Sequence, residues 1–159
     1  MSDARFMTMR HIETVRNYLA ACIRELLHRQ ERHDQTKLES PEMEAYDKIT
    51  AGLRGITYGS EEYKAIMKAN EPAIRHHYHF NRHHPEFHPQ GYSSMTLIDV
   101  LEMLCDWKAA TLRHGDGDIR QSILINQKRF GYSDEFARLL YNTVDWLETQ
   151  EVYHKAEES

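Results

Sequence analysis

The chain has 159 residues, of which 40% are hydrophobic and 28% are charged, with a formal net charge of -5. This length and apolar content suffice for one domain with a core but not for two, so we expect a single domain over residues 1–159. The net charge excludes a surface that coats nucleic acid generally, because such surfaces carry an excess of Lys and Arg.

The sequence favours a cytoplasmic protein. Residues 1–15 lack the apolar core of a signal peptide, and no apolar run approaches the about 18 residues of a membrane span. Cys22 and Cys105 each lie in a helix-like apolar pattern, and we expect reduced thiols. No membrane association is therefore predicted.

The first half of the chain predicts helices. A helix over about residues 8–31 is indicated by apolar residues spaced three and four apart, namely Ile12, Val15, Leu19, Cys22, Ile23, Leu26 and Leu27. Ser40, Pro41 and Glu42 are typical of a helix start, with a hydroxyl cap, an early proline and an acid near the positive end of the dipole. Gly52 or Gly55 would end this second helix.

The next helix begins after Gly59 and runs toward a histidine-rich segment, with Pro72 marking a kink or a break. Thr96 starts a further helix, which Gly115 and Gly117 close. Two more helices are predicted at about residues 118–130 and 134–152, followed by a frayed tail from about residue 154. No segment alternates with a period of two, so we predict an all-α bundle of about six helices.

Two clusters carry the predicted chemistry. His33 and Asp34 offer an imidazole nitrogen and a carboxylate oxygen from adjacent residues, which can bind one divalent metal, and Lys37 lies where its ammonium can hold a phosphate oxygen. This dipeptide also occurs often on ordinary surfaces. The second cluster is richer, because six of the eleven histidines fall between residues 76 and 88.

If residues 73–82 are helical, one face carries His77, Asn81 and His84, and a neighbouring face carries His76, His79 and His83. At least two imidazoles can then face inward together, although helix-end or solvated histidines are the alternative. Asp106 lies in an otherwise apolar helix, where a carboxylate is costly unless it is paired or metal-bound. Asp99 and Glu102 precede it near the same face and can accept hydrogen bonds from a ligand histidine.

The motif order RHDQTK, HHPEFHPQGY and LCDWKAA resembles the HD-domain metal-dependent phosphohydrolase superfamily, especially its HD-GYP phosphodiesterase branch. The resemblance implies an HD-like metal-binding domain and a set of matching residues, namely His33, Asp34, Lys37, His83, His84 and Asp106. The whole chain also resembles an uncharacterised family of small bacterial and bacteriophage proteins that share the HHPE and EMLCDWKAA strings.

Departures from the HD-GYP pattern are Thr36 in place of Gly, Pro85 in place of the acid, and Ser93 in place of Pro, so specificity for cyclic dinucleotides does not carry over. His11 corresponds to the first histidine of the superfamily. A continuous helix would place it about 33 Å from His33. Either that helix breaks, or His77 completes the site instead.

The resemblance implies hydrolysis of a phosphate ester with one or two divalent ions (Mn, Fe, Mg, Co or Ni), on a nucleotide or another small phosphorylated substrate. Lys37 and Arg82 would offset developing charge, and Glu86 or Glu102 would transfer the proton. Asn81 and Arg129 are further candidates for substrate contacts, although a solvated helix face also explains Arg129. The alternatives are a di-iron oxygenase on an HD-like scaffold and a non-catalytic nucleotide-binding protein, and a homodimer is left open.

Overall fold

The computed structural model describes the backbone of residues 3–113 and 117–157 and the side chains of residues 3–113 and 117–150. These residues are all-α, as predicted, and contain no strand. The seven helices are α1 (Asp3–Arg32), α2 (Met43–Gly52), α3 (Glu61–Ala69), α4 (Glu71–Phe80), α5 (Leu97–Thr111), α6 (Ile119–Phe130) and α7 (Asp134–Glu157). Short 3₁₀ helices cover Gln35–Leu38, Pro85–Phe87 and Gly91–Ser94.

The chain divides into two compact units, Met1–Gln35 and Thr36–Ser159. The first unit consists mainly of α1, which has no buried residue. Its predicted apolar stripe is present, but Leu19 and Ile23 are more than half exposed in the single chain. The sequence therefore predicted the helix, and its apolar face has no core of its own.

The second unit holds the hydrophobic core, between α5, α6 and α7. Nine buried residues form it, namely Val100, Met103, Leu104, Ile119, Ile123, Tyr132, Ala137, Leu140 and Val144. Three of them belong to α5, so the side of α5 that carries Val100, Met103 and Leu104 faces this core. The core thus holds in place the helix that also carries Glu102 and Asp106.

Local sequence signals explain most helix ends in this unit. The Thr96 hydroxyl accepts a hydrogen bond from the Asp99 N–H, and the Asp99 carboxylate accepts one from the Thr96 N–H, which is a capping box at the start of α5. Gly131 ends α6 in the left-handed conformation. Pro72 stands in the first turn of α4, so the predicted break separates α3 from α4 at Asn70.

Some predicted ends differ from the observed ones. The second helix begins at Met43 with Glu42 at its N-cap, two residues after the predicted proline start, and Glu42 uses its side chain elsewhere. α7 continues to Glu157, past the predicted start of the frayed tail, and residues 158–159 lie outside the described residues. Gly115, predicted to close α5, also lies outside them. Within the described ranges, no helix combines the length and the apolar character that crossing a membrane requires.

Candidate metal centre

The histidine-rich segment bends sharply at the end of α4. α4 ends at Phe80, and Asn81 has an extended backbone, with φ -117° and ψ 109°. Pro85 then opens the 3₁₀ helix Pro85–Phe87. Helical geometry therefore stops before His83 and His84, and these two residues belong to a turn rather than to the helix face that the sequence suggested.

That turn brings three imidazoles together. His77, at the end of α4, has its ring centroid 5.9 Å from that of His83 and 4.8 Å from that of His84. The rings of His83 and His84 are 4.2 Å apart. One ring nitrogen from each histidine lies within 4.8 Å of the others. The Nε2 atoms of all three are buried, so these donors converge in an interior position.

Two carboxylates from α5 lie beside His83. Oε1 of Glu102 is 3.2 Å from Nδ1 of His83, and Oδ2 of Asp106 is 4.0 Å from Nε2 of the same ring. Glu102 and Asp106 are one helical turn apart and therefore share a face of α5. The His83 ring thus lies between two carboxylates, with Glu102 next to Nδ1 and Asp106 facing Nε2.

Glu42 supplies a third carboxylate, which the sequence did not predict for the site. Its side chain is fully buried, and its two oxygens lie 2.7 Å from Nδ1 of His76 and 2.8 Å from Nδ1 of His77. The hydroxyl of Thr36 donates to the same carboxylate at 2.9 Å. An acid at a helix start usually lies in solvent near the positive end of the helix dipole, so no local signal marked Glu42 as an interior residue.

Comparison with known proteins gives a family but no described relative. A family model described as "Family of unknown function (DUF5662)" matches residues 2–151. The chain belongs to this family. No curated protein matches the DUF5662 chain, and no solved structure does. The matched range contains all of the candidate ligands described above.

In the DUF5662 chain, Arg82 and Asn81, which were predicted to contact substrate, stabilise the turn that carries His83 and His84. Arg82 forms two hydrogen bonds to Asp99, each 3.2 Å long, and lies over the ring of Phe87. Asn81 is buried and donates to the Thr36 hydroxyl and to the carbonyl oxygen of His77, both at 2.9 Å. Both side chains are thus used for internal hydrogen bonds next to the candidate ligands.

Asp99 is buried, and its ionisation reflects this setting. Burial alone would raise its pKa, but hydrogen bonds from Arg82 and Thr96 outweigh that effect and lower the pKa to about 2. His88 hydrogen-bonds through Nε2 to the carbonyl oxygen of Arg82 at 2.8 Å. Asp99 therefore joins the start of α5 to the turn that carries His83 and His84.

Arg129 and Glu86 form an ion pair. The Tyr78 hydroxyl lies 3.4 Å from the Arg129 guanidinium, and the Tyr78 ring centroid is 4.7 Å from that of His84. Burial lowers the pKa of Arg129, but Glu86 and Tyr78 more than offset it, so the net pKa is raised. Burial also raises the pKa of Tyr63 and Tyr78, which keeps both hydroxyls protonated as donors.

Lys37 contacts an aromatic ring that adjoins the cluster. Its Nζ lies 4.8 Å from the ring centroid of Tyr46, a cation–π contact. The Tyr46 ring is in turn 5.6 Å from that of His77. Lys37 is therefore one aromatic ring away from the three histidines.

The remaining predicted ligands belong to the first unit. His33 and Asp34 follow α1, with Nε2 of His33 3.5 Å from Oδ2 of Asp34. Asp34 has a φ of 58°, a left-handed conformation that Asp tolerates better than most residues. His11 is exposed in the first third of α1. Because α1 is continuous, His11 lies about 33 Å from His33 and cannot share a metal ion with it.

Proposed function

We propose that this protein is a metal-dependent phosphohydrolase that acts on a nucleotide or another small phosphoester. The observation that carries the proposal is the convergence of His77, His83 and His84 beside Glu102 and Asp106. Three separate elements supply these side chains, namely the end of α4, the turn after it and the middle of α5. The order of the motifs along the chain, which resembles that of HD-domain phosphohydrolases, supports the same function.

The residues present fit a divalent ion. With metal–nitrogen bonds of about 2.1 Å, two ligands on opposite sides of an ion are about 4.2 Å apart. The observed upper limit of 4.8 Å between the histidine nitrogens is close to this value. Asp106 and His83 face each other at 4.0 Å, which is too long for a hydrogen bond but suits two ligands of one ion. Mixed nitrogen and oxygen donors suit Mn, Fe, Co or Ni.

When bound, such an ion would lower the pKa of a water molecule and polarise a phosphoryl oxygen. The chain's own residues would orient the ligands and the substrate. Oε1 of Glu102 lies 3.2 Å from Nδ1 of His83, a position from which it would orient the ring with its other nitrogen toward Asp106. Arg129 and the protonated Tyr78 hydroxyl lie on the His84 side, where they can donate to phosphate oxygens.

The HD-domain resemblance implies two further ligands, His33 and Asp34. These residues belong to the first unit, so their part in the site is proposed from the motif alone. A second ion would require these ligands, and Asp34→Asn is the variant that tests them.

The first test is metal binding. Protein freed of metal by a chelator would be titrated with Mn²⁺, Co²⁺ and Ni²⁺ in a calorimeter, and we expect one or two ions per chain. His84→Ala should weaken binding, while the matched control His79→Ala should bind as the wild type does, because His79 is exposed on α4 and is not one of the candidate ligands. Equal binding by His84→Ala and the wild type would remove the basis of the proposal.

The second test is catalysis. Nucleoside mono-, di- and triphosphates and cyclic nucleotides would be assayed with each ion, and phosphate release that His84→Ala loses and His79→Ala keeps is the expected result. Tightly bound iron with oxygen consumption and no phosphate release would favour the di-iron oxygenase instead. Nucleotide binding without turnover would favour a binding protein.

A further inference from the structure

The carboxylate of Glu42 lies in the interior of the second unit, where a charge is costly unless it is well hydrogen-bonded. The side chain is fully buried and is contacted by three polar groups. Oε1 of Glu42 lies 2.7 Å from Nδ1 of His76. Oε2 lies 2.8 Å from Nδ1 of His77 and accepts a hydrogen bond from the Thr36 hydroxyl at 2.9 Å. These contacts join α2 to the end of α4, which carries His77.

The positions of the hydrogen atoms in this network follow from which groups can donate and which can accept. A carboxylate oxygen 2.7 or 2.8 Å from an imidazole nitrogen is an acceptor, which assigns the proton of each ring to Nδ1 of His76 and Nδ1 of His77. The Thr36 hydroxyl gives its single proton to Glu42, and its oxygen then accepts from the amide of Asn81 at 2.9 Å. The second amide hydrogen of Asn81 goes to the carbonyl oxygen of His77. Nδ1 of His77 also lies 3.0 Å from the Asn81 amide nitrogen and 3.2 Å from the Thr36 hydroxyl, and the Glu42 oxygen at 2.8 Å is the nearest of these partners.

This arrangement fixes which nitrogen of His77 can bind a metal. A neutral imidazole with its proton on Nδ1 has its lone pair on Nε2. Nε2 of His77 is buried together with Nε2 of His83 and His84. The hydrogen bond to Glu42 thus sets both the tautomer and the ring orientation that ligation through Nε2 requires.

We propose that Glu42 is a positioning residue of the metal site, holding His77 as the Nδ1-protonated tautomer with Nε2 directed at the ion. This inference rests on the proposed function, since it concerns the same ion. Thr36 takes part by donating to Glu42 and by accepting from Asn81, which fixes the carboxylate from a second side.

The test combines Glu42→Gln with two measurements. A Gln side chain has one acceptor oxygen and cannot accept from His76, His77 and Thr36 together. In metal-free protein, long-range proton–nitrogen correlation spectra of the imidazoles should show His77 as the Nδ1-protonated tautomer in the wild type and as a mixture in the variant. The affinity for Ni²⁺ and Mn²⁺ should fall about 10- to 100-fold, as is typical when an outer carboxylate is lost.

His79→Gln is the matched control, because His79 is exposed on α4 and is not one of the candidate ligands. It should preserve the His77 tautomer and leave metal affinity nearly unchanged. If Glu42→Gln binds Ni²⁺ as tightly as the wild type does and keeps the same tautomer, the inference is overturned while the metal site stands.

The remaining outcomes are also decisive. If Glu42→Gln does not fold, the wild-type spectrum still tests the inference, since a proton on Nε2 of His77 would contradict it. If the wild type binds no ion at all, the proposed function fails, and an Nε2 proton in the same spectra would overturn the positioning role separately.

Discussion

The ion pair between Asp99 and Arg82 attaches the turn that carries His83 and His84 to α5. The variant Asp99→Asn tests how much this ion pair contributes. Asp99 caps α5 through Thr96 and pairs with Arg82, which directly precedes His83 in the chain. Asp99→Asn keeps the shape of the side chain and removes its charge. We expect this variant to be less stable at neutral pH and to bind metal more weakly, because the turn is then less firmly attached to α5.

The magnitude follows from the pKa of Asp99. Its folded value of about 2 is below the ordinary value of 3.8, so ionised Asp99 stabilises the fold at a pH above the ordinary value. This stabilisation is lost as the pH falls from about 4 to about 2. A difference of nearly two pKa units corresponds to about 2.5 kcal/mol. Because the Arg82 side chain is 45% exposed and partly screened by solvent, we expect about 1 to 2 kcal/mol.

Urea unfolding of the wild type and of Asp99→Asn between pH 7 and pH 2.5 measures this difference. The gap in the free energy of unfolding should be largest above about pH 4.5 and should shrink toward pH 2. Asp47→Asn, on the exposed surface of α2, controls for the loss of one negative charge and should show no such trend. A gap for Asp99→Asn that stays constant over the whole range would refute the assignment of a low pKa to Asp99.

Two further predictions concern the fold. Leu104 lies in the core between α5, α6 and α7, so Leu104→Ala should lower the free energy of unfolding by about 2 to 5 kcal/mol. Leu97 is exposed at the start of α5, and Leu97→Ala should lower it far less. Equal losses in urea unfolding would contradict the placement of the core. Gly131→Ala should cost about 1 kcal/mol, because φ is 71° there and no neighbouring atom would obstruct the methyl group. Gly52 is the last residue of α2 and has room for a methyl group, so Gly52→Ala should instead stabilise by about 0.4 to 1 kcal/mol. A thermal melt that ranks the two glycine variants in the opposite order would contradict the backbone argument.

Much of the helical architecture could be predicted from the sequence because its signals are local. The cap at Thr96, the proline at position 72 and the glycine at position 131 each act on neighbouring backbone atoms, and the structure has a helix end at or beside each of them. Apolar periodicity also predicted α1. The same periodicity could not show that Leu19 and Ile23 would be exposed in the single chain, because burial depends on what packs against the helix.

The candidate site, too, was predicted only in part. The histidines and Asp106 were predicted from composition and motif order, and His77, His83 and Asp106 are indeed close together within the second unit. Glu42 was not predicted as part of the site, because its contacts with His76 and His77 join residues more than thirty positions apart in the chain. Sequence spacing also placed His84 on a continuing helix, although the chain leaves helical geometry at Asn81.

The carboxylates that contact the histidines bear on the choice of metal. His77 and His83 each have a carboxylate at Nδ1, from Glu42 and Glu102 respectively, so in the proposed metal site Nε2 of each ring would be the ligand atom. A set of three imidazole nitrogens disfavours Mg²⁺, which prefers oxygen ligands and retains its water. Within the proposed range of ions, this arrangement therefore favours Mn, Fe, Co and Ni over Mg. The same nitrogen-rich set is what keeps oxygen chemistry on iron as the alternative to phosphate hydrolysis.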